Sequence, residues 1–274
     1  MANLTVTFLG TGAGNCVSRA HTAIVLDCAD GTRLLLDASS GNSVLRQGAE
    51  LGMMAEDYHQ VLLSHHHADH MAGLPFIGFR RHRVNPQAAP LRVYSTEEAL
   101  DWLRRMCLAT RLNLATVNQD GAFTDEGQQV FRWDPVQDGQ WISLGPTTRA
   151  CTFPADHISG AVGWKVESDG VSVVFSGDTR FSPNVAEAAQ GARLLIHEAF
   201  CTDRESEWAA DRGHSTAGQA GRVAAQAEVA ELIITHIDSP FHSDMQPLID
   251  DARQQYDGPV TAATDLHQIT VATG

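Results

Sequence analysis

One stretch decides the fold of this chain: Val61-Leu62-Leu63-Ser64-His65-His66-His67-Ala68-Asp69-His70. It is a short apolar run that ends in four histidines and an aspartate. Residues 60–64 are rich in β-forming side chains and predict a buried strand, and the residues from 68 onward predict the start of a helix. The histidines therefore lie on the turn that connects a strand to a helix.

The side chains on this turn are of the kinds that bind metal ions. Because side chains alternate along an extended backbone, His65 and His67 are predicted to point to one side and His66 to the other. Asp69 and His70 follow in the first helical turn and can face a second ion. A histidine run from an expression tag would lie at a terminus and lack the preceding strand. Histidine and aspartate clustered this densely therefore indicate a metal site.

Length and composition are those of a globular protein. The chain has 274 residues, 43% of them hydrophobic and 19% charged, so we expect one α/β domain over residues 1–274. Residues 1–6 lack the basic and apolar segments of a signal peptide, and we expect a cytoplasmic protein that spans no membrane. The five cysteines include no Cys-x-x-Cys pair, which predicts reduced thiols with a packing role.

The net charge of −14 bears on the binding partner. Long polyanions should be repelled, so a large nucleic acid is an unlikely partner and a small anionic substrate is favoured. The densest basic stretch covers residues 79–83, and we expect it to be a solvated helix end rather than a phosphate-binding patch.

The first half of the chain predicts strands and helices around this turn. A strand over 4–9 runs into the glycine loop 10–14, which lacks the last glycine of Gly-x-Gly-x-x-Gly and precedes another strand, so a dinucleotide cofactor is not expected. Further strands are predicted at 22–27, 33–37 and 91–94, with helices at 42–51 and from 97 to about 111. Residues 112–139 have weak periodicity and predict either strands near 130–133 or a loop that shapes the pocket; another strand is expected at 141–144.

The second half repeats this pattern. Strands are predicted at 149–153, 163–167, 171–175, 194–196, 231–235 and 260–264. Polar residues follow several of them, among them His157, Asp178, Glu198 and His236. Strands that alternate with helices indicate α/β layers, and such folds place their chemistry at strand ends.

The order and spacing of these residues resemble the metallo-β-lactamase superfamily. The resemblance covers nearly the whole chain and is carried by Phe8-Leu9-Gly10-Thr11-Gly12, His65-x-His67-x-Asp69-His70, an isolated His157, Ser176-Gly177-Asp178-Thr179 and Thr235-His236. It implies an α/β fold, specifically a four-layer αββα sandwich made of two pseudo-repeated halves. It also implies a hydrolase with a dinuclear metal site.

The resemblance assigns seven ligands to two ions. One ion would be held by His65, His67 and His157, and the other by Asp69, His70 and His236, with Asp178 bridging the two. Taken alone, His157 could be a structural histidine and Asp178 a turn residue. Their positions after apolar strands within the full set favour the ligand interpretation.

This ligand set favours two Zn²⁺ ions, and without a thiolate Mn²⁺ or Fe²⁺ is also an option. Two such ions would lie about 3.5 to 4 Å apart and share a bridging hydroxide. Their charge exceeds that of two aspartates and the hydroxide, so the centre favours an anionic substrate. Asp69, a ligand that can also hydrogen-bond the attacking water, is the candidate for orienting that water or accepting its proton.

Two further motifs resemble the ribonuclease Z group and its small-molecule relatives. They are His197-Glu198-Ala199-Phe200 and Gly213-His214-Ser215-Thr216-Ala217. In that family the glutamate orients the histidine, which contacts the scissile phosphate or assists the leaving group; these roles fall on Glu198 and His214. The alternative is that His214 only precedes a helix capped near Ser215.

The chain departs from ribonuclease Z in one respect. The family often carries a long basic arm that clamps tRNA, in the segment that here runs between His157 and Asp178 and is filled by a hairpin. A small phosphodiester is therefore the favoured substrate, and a tRNA 3′-processing endonuclease is disfavoured. The alternatives are an arylsulfatase, lactonase or other ester hydrolase, and a non-hydrolytic metal-bound binding protein. A homodimer is a further option, with the apolar helix near 71–79 as one candidate surface.

Overall fold

The structure is a computed structural model that describes residues 3–110, 118, 120 and 122–272. Its strands, in chain order, are β1 (Asn3–Gly10), β2 (Ala23–Asp27), β3 (Arg33–Leu36), β4 (Gln60–Leu62), β5 (Leu91–Ser95), β6 (Phe131–Pro135), β7 (Ile142–Ser143), β8 (Arg149–Pro154), β9 (Val162–Ser168), β10 (Val171–Phe175), β11 (Leu194–Glu198), β12 (Leu232–Thr235), β13 (Val260–Ala262) and β14 (Gln268–Ala272). Its α-helices are α1 (Ser43–Glu50), α2 (Ala68–Met71), α3 (Leu74–Val84), α4 (Glu97–Thr110), α5 (Asp125–Gln128), α6 (Pro183–Ala188), α7 (Ser206–Asp211), α8 (Ala217–Gln226) and α9 (Gln246–Arg253).

The strands form two seven-stranded mixed sheets with matching topology. The first sheet has the order β14-β1-β2-β3-β4-β5-β6, and the second has the order β13-β12-β11-β10-β9-β8-β7. In each sheet one side is antiparallel, from β14 to β3 and from β7 to β10. The other side is parallel, from β3 to β6 and from β10 to β13. This correspondence is the pseudo-repeat that the sequence predicted.

Three apolar layers produce the αββα order. Leu36 and Leu62 of the first sheet pack with Trp164 and Ile196 of the second, in the layer between the sheets. Their strand neighbours, such as Val61, pack instead with α1, α3 and α4, because successive side chains point to opposite faces. A third layer lies between the second sheet and α6, α8 and α9. The central layer supports the prediction of one domain over residues 1–274, which stays a prediction.

The helix predicted from Ala68 onward is divided in two. The structure has α2 and α3, separated at Ala72 and Gly73. A Cβ atom on Gly73 would lie 1.9 Å from the carbonyl oxygen of Ala38, so this backbone contact requires glycine. Pro75 then lies in the first turn of α3, where its missing N–H costs no helical hydrogen bond.

The prediction of a solvated basic helix end at residues 79–83 is wrong for two of its members. Arg81, 3% exposed, and His82 are both buried. The Arg81 guanidinium donates hydrogen bonds to the carbonyl oxygen of Ala89, at 3.1 Å, and to Nδ1 of His59, at 3.1 Å. The end of α3 therefore packs against the protein, where these acceptors bind the two terminal nitrogens of the buried guanidinium.

The remaining expectations fall close to the observed elements. The strands predicted near 130–133 and 141–144 correspond to β6 and β7. The structure does not describe residues 112–117, 119 and 121 of the segment with weak periodicity, nor residue 111 at the end of the predicted helix. All five cysteines are free thiols, and four of them are buried. Among the described helices, none has both the length and the apolar character needed to cross a bilayer.

Candidate metal centre

The candidate centre lies where the parallel strands of both sheets end. In the first sheet β4 leads to His65 and His67. In the second sheet β10 leads to Asp178 and β12 leads to His236. Because the carboxyl ends of neighbouring parallel strands meet at one edge, and because the two sheets pack face to face, these side chains converge.

The first group of converging atoms contains His65, His67, His157 and Asp178, each offering one atom within 4.8 Å of the others. Nε2 of His65 lies 3.8 Å from Asp178 Oδ2, and Nε2 of His157 lies 3.9 Å from the same oxygen. His67 faces the group through Nδ1, which lies 3.0 Å from His157 Nε2. This is the first set of side chains that the sequence predicted.

The second group contains Asp69, His70, His236 and again Asp178. Nε2 of His70 and Nε2 of His236 each lie 3.2 Å from Asp178 Oδ2. Asp69 Oδ2 lies 3.4 Å from His70 Nε2. The Asp178 carboxylate is therefore common to both groups, in the position expected of a bridging ligand.

The residues present fit a bound cation. Nε2 of His65 and Nε2 of His70 are fully buried and have no hydrogen-bond partner in the described part of the chain. Buried polar atoms nearly always have a partner, so two such atoms facing one carboxylate call for an explanation. A metal ion supplies it, since imidazole nitrogen and carboxylate oxygen are common metal ligands.

In four of the five histidines, the other ring nitrogen is held by the surrounding protein. Such contacts fix the orientation of a metal-ligating imidazole and set which nitrogen carries the proton. The partners are Ser64 Oγ for His65 Nδ1 at 2.9 Å, Asp37 Oδ2 for His70 Nδ1 at 2.7 Å, Thr22 Oγ1 for His236 Nδ1 at 2.9 Å, and the carbonyl oxygen of Gly213 for His157 Nδ1 at 2.8 Å.

Asp37 is the most important residue that the sequence reasoning missed. It is 0% exposed and accepts hydrogen bonds from the Ser64 backbone N–H, the Ser64 hydroxyl and His70 Nδ1, each at 2.7 Å. The signal was available, because Asp37 directly follows the apolar strand β3 just as His65 and Asp178 follow theirs closely.

Burial and charge set the protonation of the cluster. Burial holds the pKa of His65 well below its usual range, and lowers the pKa of His157 to about 4 and that of His236 to about 3. These imidazoles are therefore neutral at pH 7, which is the form that binds metal. Burial also lowers the pKa of His70, but the nearby Asp178, Asp69 and Asp37 carboxylates outweigh it and raise that pKa. A cation bound at His70 would have to displace this proton.

Two glycines allow close packing around the predicted ligands. A Cβ on Gly14, in the glycine loop after β1, would lie 2.9 Å from Asp69 Oδ2. A Cβ on Gly213 would lie 2.5 Å from His157 Nδ1, and Gly213 has a φ of +84°. The glycine loop after β1 therefore packs against Asp69, a predicted ligand of the candidate centre.

His66 points away from the cluster, as the alternation of side chains predicted. Its ring stacks on Trp102 of α4, with centroids 5.6 Å apart and an interplanar angle of 18°. Five further histidines are absent from the metal-ligating groups found among the described residues; they are His21, His59, His82, His242 and His267.

Glu198 and His214 lie beside the cluster and form a third group with Asp178. Nδ1 of His214 lies 3.1 Å from Glu198 Oε1 and 3.9 Å from Asp178 Oδ2. Glu198 also accepts hydrogen bonds from the backbone N–H groups of Thr179, at 2.6 Å, and Ser215, at 3.2 Å. The glutamate is therefore held in place by two backbone N–H groups while its Oε1 contacts the histidine.

This pair has shifted pKa values. Burial raises the pKa of Glu198 to about 7. Burial lowers the pKa of His214, but the charge of Glu198 and its hydrogen bond outweigh this and raise the pKa to about 9. The helix that follows is capped by Thr216, whose hydroxyl accepts from the Gln219 N–H, so His214 is not needed as a cap.

Comparison with known proteins identifies the class. Residues 32–237 match a family described as "Beta-lactamase superfamily domain". The chain belongs to this superfamily, and it is a metal-dependent hydrolase of the metallo-β-lactamase fold.

Within the superfamily the chain lies in the ribonuclease Z-like branch. It is 30% identical to Ribonuclease Z of Nocardia farcinica over 269 residues, which cover 84% of this chain and 86% of that protein. It is 25% identical to Ribonuclease Z of Methanosarcina acetivorans over 310 residues, with 98% of each chain covered. The crystal structure of the metallo-beta-lactamase fold protein YhfI from Bacillus subtilis superposes with a TM-score of 0.79 at 21% identity, covering 98% of this chain and 99% of that one, and shows the shared fold.

Proposed function

We propose that the protein hydrolyses a small phosphodiester at a centre of two Zn²⁺ ions. The observation that carries the proposal is the shared position of Asp178 Oδ2, which lies 3.2 Å from both His70 Nε2 and His236 Nε2 and within 4 Å of His65 Nε2 and His157 Nε2. A single carboxylate lies between two sets of imidazoles, which are neutral or, for His70, carry a proton that a cation would displace. Two adjacent cations require this arrangement.

In this proposal each ion has its own protein ligands. His65, His67 and His157 would hold one ion. Asp69, His70 and His236 would hold the other, and Asp178 would serve both groups. The nitrogen and oxygen donors suit Zn²⁺, and Mn²⁺ or Fe²⁺ is the alternative because no thiolate takes part.

Bound divalent cations would supply Lewis acidity and lower the pKa of water for attack on phosphorus. The chain's own groups do the rest. Asp69, half-buried at the edge of the cluster, orients the attacking water and accepts its proton. His214, protonated at neutral pH through its contact with Glu198, donates a hydrogen bond or a proton to the leaving oxygen.

Two features favour a small substrate over a long nucleic acid. The net charge of −14 opposes the approach of a polyanion. The alignment with Ribonuclease Z of M. acetivorans runs over 310 residues although this chain has 274, so that relative contains segments that this chain lacks.

RNA is the second candidate substrate. The curated relatives named Ribonuclease Z align over 84% and 98% of this chain, which weighs against a strict exclusion of nucleic acid. An arylsulfatase, lactonase or other ester hydrolase is the third, since the same water activation serves sulfate and carbonyl centres. A cytoplasmic location and a homodimer stay predictions.

A substrate panel tests the proposal. Zinc- and manganese-loaded protein, with metal content determined, is assayed on bis(p-nitrophenyl) phosphate, p-nitrophenyl sulfate, a simple lactone and a precursor tRNA. We expect the phosphodiester to be preferred, with loss of turnover in Asp178→Ala and full turnover in the control variant His267→Gln. A protein that holds two metals and cleaves only the sulfate, the lactone or the tRNA would contradict the small-phosphodiester proposal.

A further inference from the structure

A stack of four rings leads from the metal centre to the protein surface. His236 and His214 lie 5.3 Å apart between centroids, at an interplanar angle of 29°. Phe200 stacks on His214 at 4.4 Å and 14°, and Trp208 of α7 stacks on Phe200 at 4.9 Å and 25°. Phe200 is buried, whereas Trp208 is 38% exposed. The outermost ring of the stack is therefore an indole that solvent can reach, two ring spacings from His214.

Arg212 lies against this indole. Its guanidinium carbon is 4.5 Å from the Trp208 ring centroid, and its Nη1 donates to the Trp208 carbonyl oxygen at 3.3 Å. The Arg212 side chain is exposed. In the part of the chain that the structure describes, no carboxylate lies within ion-pair distance of it.

Two other exposed tryptophans also contact an arginine, and they show why the missing carboxylate partner of Arg212 is significant. Arg105 lies over Trp102, and Arg149 lies over Trp141, at 5.3 Å and 4.2 Å from the ring centroids. Both of these guanidinium groups are neutralised by a carboxylate, Arg105 by Asp101 at 2.8 Å and Arg149 by Glu167 at 2.6 Å. Arg212 differs from them because its charge is available to an external anion, in a chain whose net charge is −14.

We propose that Trp208 and Arg212 form a nucleotide subsite, in which a nucleobase stacks on Trp208 and a phosphate oxygen of the same nucleotide unit pairs with Arg212. The inner face of the indole is taken by Phe200, and the exposed Arg212 side chain can move from the outer face to let a base stack there. Aromatic side chains bind bases of any sequence in this way, and arginine pairs with phosphate through two parallel hydrogen bonds.

The subsite narrows the class of substrates expected for the proposed phosphodiesterase, and so it rests on that function. A nucleoside attached to the scissile phosphate would reach Trp208 along the stack, whereas a cyclic ribose phosphate without a base would leave the subsite empty. We therefore expect nucleoside phosphodiesters to bind better than alkyl ones.

Three substrates with the same leaving group isolate the contribution of the base. Thymidine 5′-(p-nitrophenyl phosphate) and its 3′ isomer are compared with methyl p-nitrophenyl phosphate, so that only the group retained on phosphorus changes. We expect at least one thymidine diester to have a KM roughly tenfold below that of the methyl diester, the size of effect that one stacked base produces. In Trp208→Ala this preference should disappear. Arg212→Ala should keep it, because these diesters carry no phosphate besides the scissile one, and should instead weaken the binding of thymidine 3′,5′-bisphosphate, with Arg212→Lys restoring part of that affinity.

The third Trp–Arg pair provides the matched controls. Trp141 lies beside the edge strand β7 and is 39% exposed, so Trp141→Ala and Arg149→Ala remove a similar pair away from the cluster and should keep the preference. Melting temperatures show whether each variant folds, and Arg212→Ala, at an exposed position, keeps the test open if Trp208→Ala does not fold. Equal KM values for the thymidine and methyl diesters in the wild type, a preference that survives in Trp208→Ala, or an unchanged affinity for thymidine 3′,5′-bisphosphate in Arg212→Ala would overturn the subsite.

Binding separates this inference from the proposed function. Calorimetric titration with thymidine 3′,5′-bisphosphate should give an affinity that falls roughly tenfold in Trp208→Ala and stays the same in Trp141→Ala. If the protein cleaves no phosphodiester but shows this binding pattern, the subsite stands and the hydrolytic proposal fails. If it cleaves the methyl and thymidine diesters equally and binds the bisphosphate equally in both variants, the hydrolytic proposal stands and the subsite fails.

Discussion

Nδ1 of His70 donates a hydrogen bond of 2.7 Å to Oδ2 of Asp37, and both side chains are completely buried. His70 presents its other nitrogen, Nε2, to Asp178 at 3.2 Å. Asp37 thereby fixes which His70 nitrogen faces the candidate metal. It also accepts two hydrogen bonds from Ser64, so it joins the end of β3 to the histidine turn after β4.

Replacement of Asp37 by Asn should weaken metal binding. The amide keeps the shape and can still accept from Ser64, but it loses the charge that supports His70. Loss of such a partner typically costs about 10- to 100-fold in metal affinity. Zinc affinity measured by competition with a chromogenic chelator checks this, with Asp27→Asn, which removes the carboxylate of a partly exposed ion pair with Arg33, as the control. An unchanged affinity in Asp37→Asn would show that His70 does not need this support.

Gly213→Ala should disturb the centre through His157. The new Cβ would lie 2.5 Å from His157 Nδ1, in addition to the cost of a left-handed backbone at φ +84°. Gly170→Ala is the matched control, because Gly170 has a φ of +81° and nothing lies within 4 Å of its would-be Cβ. Both variants should lose about 1–2 kcal/mol of unfolding free energy from backbone strain. Only Gly213→Ala should also lose metal; equal metal content in the two variants would speak against a ligand role for His157.

His214→Ala should reduce catalysis and spare the metals. A positioned proton donor contributes about 10²- to 10⁴-fold to the rate, so kcat should fall by that order. Metal content should stay at the wild-type level, because His65, His70 and His236 do not depend on His214 for their hydrogen bonds. Elemental analysis of the same preparation that is assayed provides the check. Loss of metal in parallel with loss of turnover would instead make His214 a ligand.

Asp30 should contribute to stability in a pH-dependent way. Burial raises its pKa, but hydrogen bonds from the backbone N–H groups of Thr147 and Thr32, with others from Thr148, outweigh it and hold the pKa below its usual range. A carboxyl group whose pKa is depressed on folding stabilises the protein above its unfolded pKa of about 3.9. This contribution is lost as the pH falls from there through the folded pKa.

Asp30→Asn should therefore unfold at lower urea concentration than the wild type at pH 7 and at pH 5. The gap should narrow as the pH falls below about 3.9, because the Asp30 carboxyl of the unfolded wild-type chain then takes up its proton while that of the folded chain stays charged. Asp138→Asn, which changes an aspartate of the loop between β6 and β7, serves as the comparison. A gap that is constant from pH 7 to pH 3 would show that charge does not contribute.

Much of the site was predictable because its residues follow apolar strands. Apolar runs indicated the strands, and His65, Asp178 and His236 come just after three of them. The same signal would have found Asp37, but a lone aspartate after a hairpin is also a common turn residue. The support given by Thr22 and Gly213 was not predictable, since it depends on which distant loops meet the histidine rings.

The errors had a physical cause of the same kind. The division between α2 and α3 follows from the close approach of the Ala38 carbonyl oxygen to Gly73. These residues are 35 positions apart in the sequence, so no local pattern indicates their contact. Arg81 was expected to be solvated because it lies in a basic stretch. Local composition does not show that the Ala89 carbonyl oxygen and His59 Nδ1 accept its hydrogen bonds. The Trp208–Phe200–His214 stack likewise joins three elements whose contact no sequence spacing indicates.

The most direct test is the metal content of the wild type and of Asp178→Asn, measured by elemental analysis in the same samples that are assayed for phosphodiester turnover. We predict two metal ions per wild-type chain with turnover, and fewer than two ions with loss of turnover in Asp178→Asn, because one carboxylate oxygen serves both ligand groups. Wild-type metal content and turnover in Asp178→Asn would contradict the account.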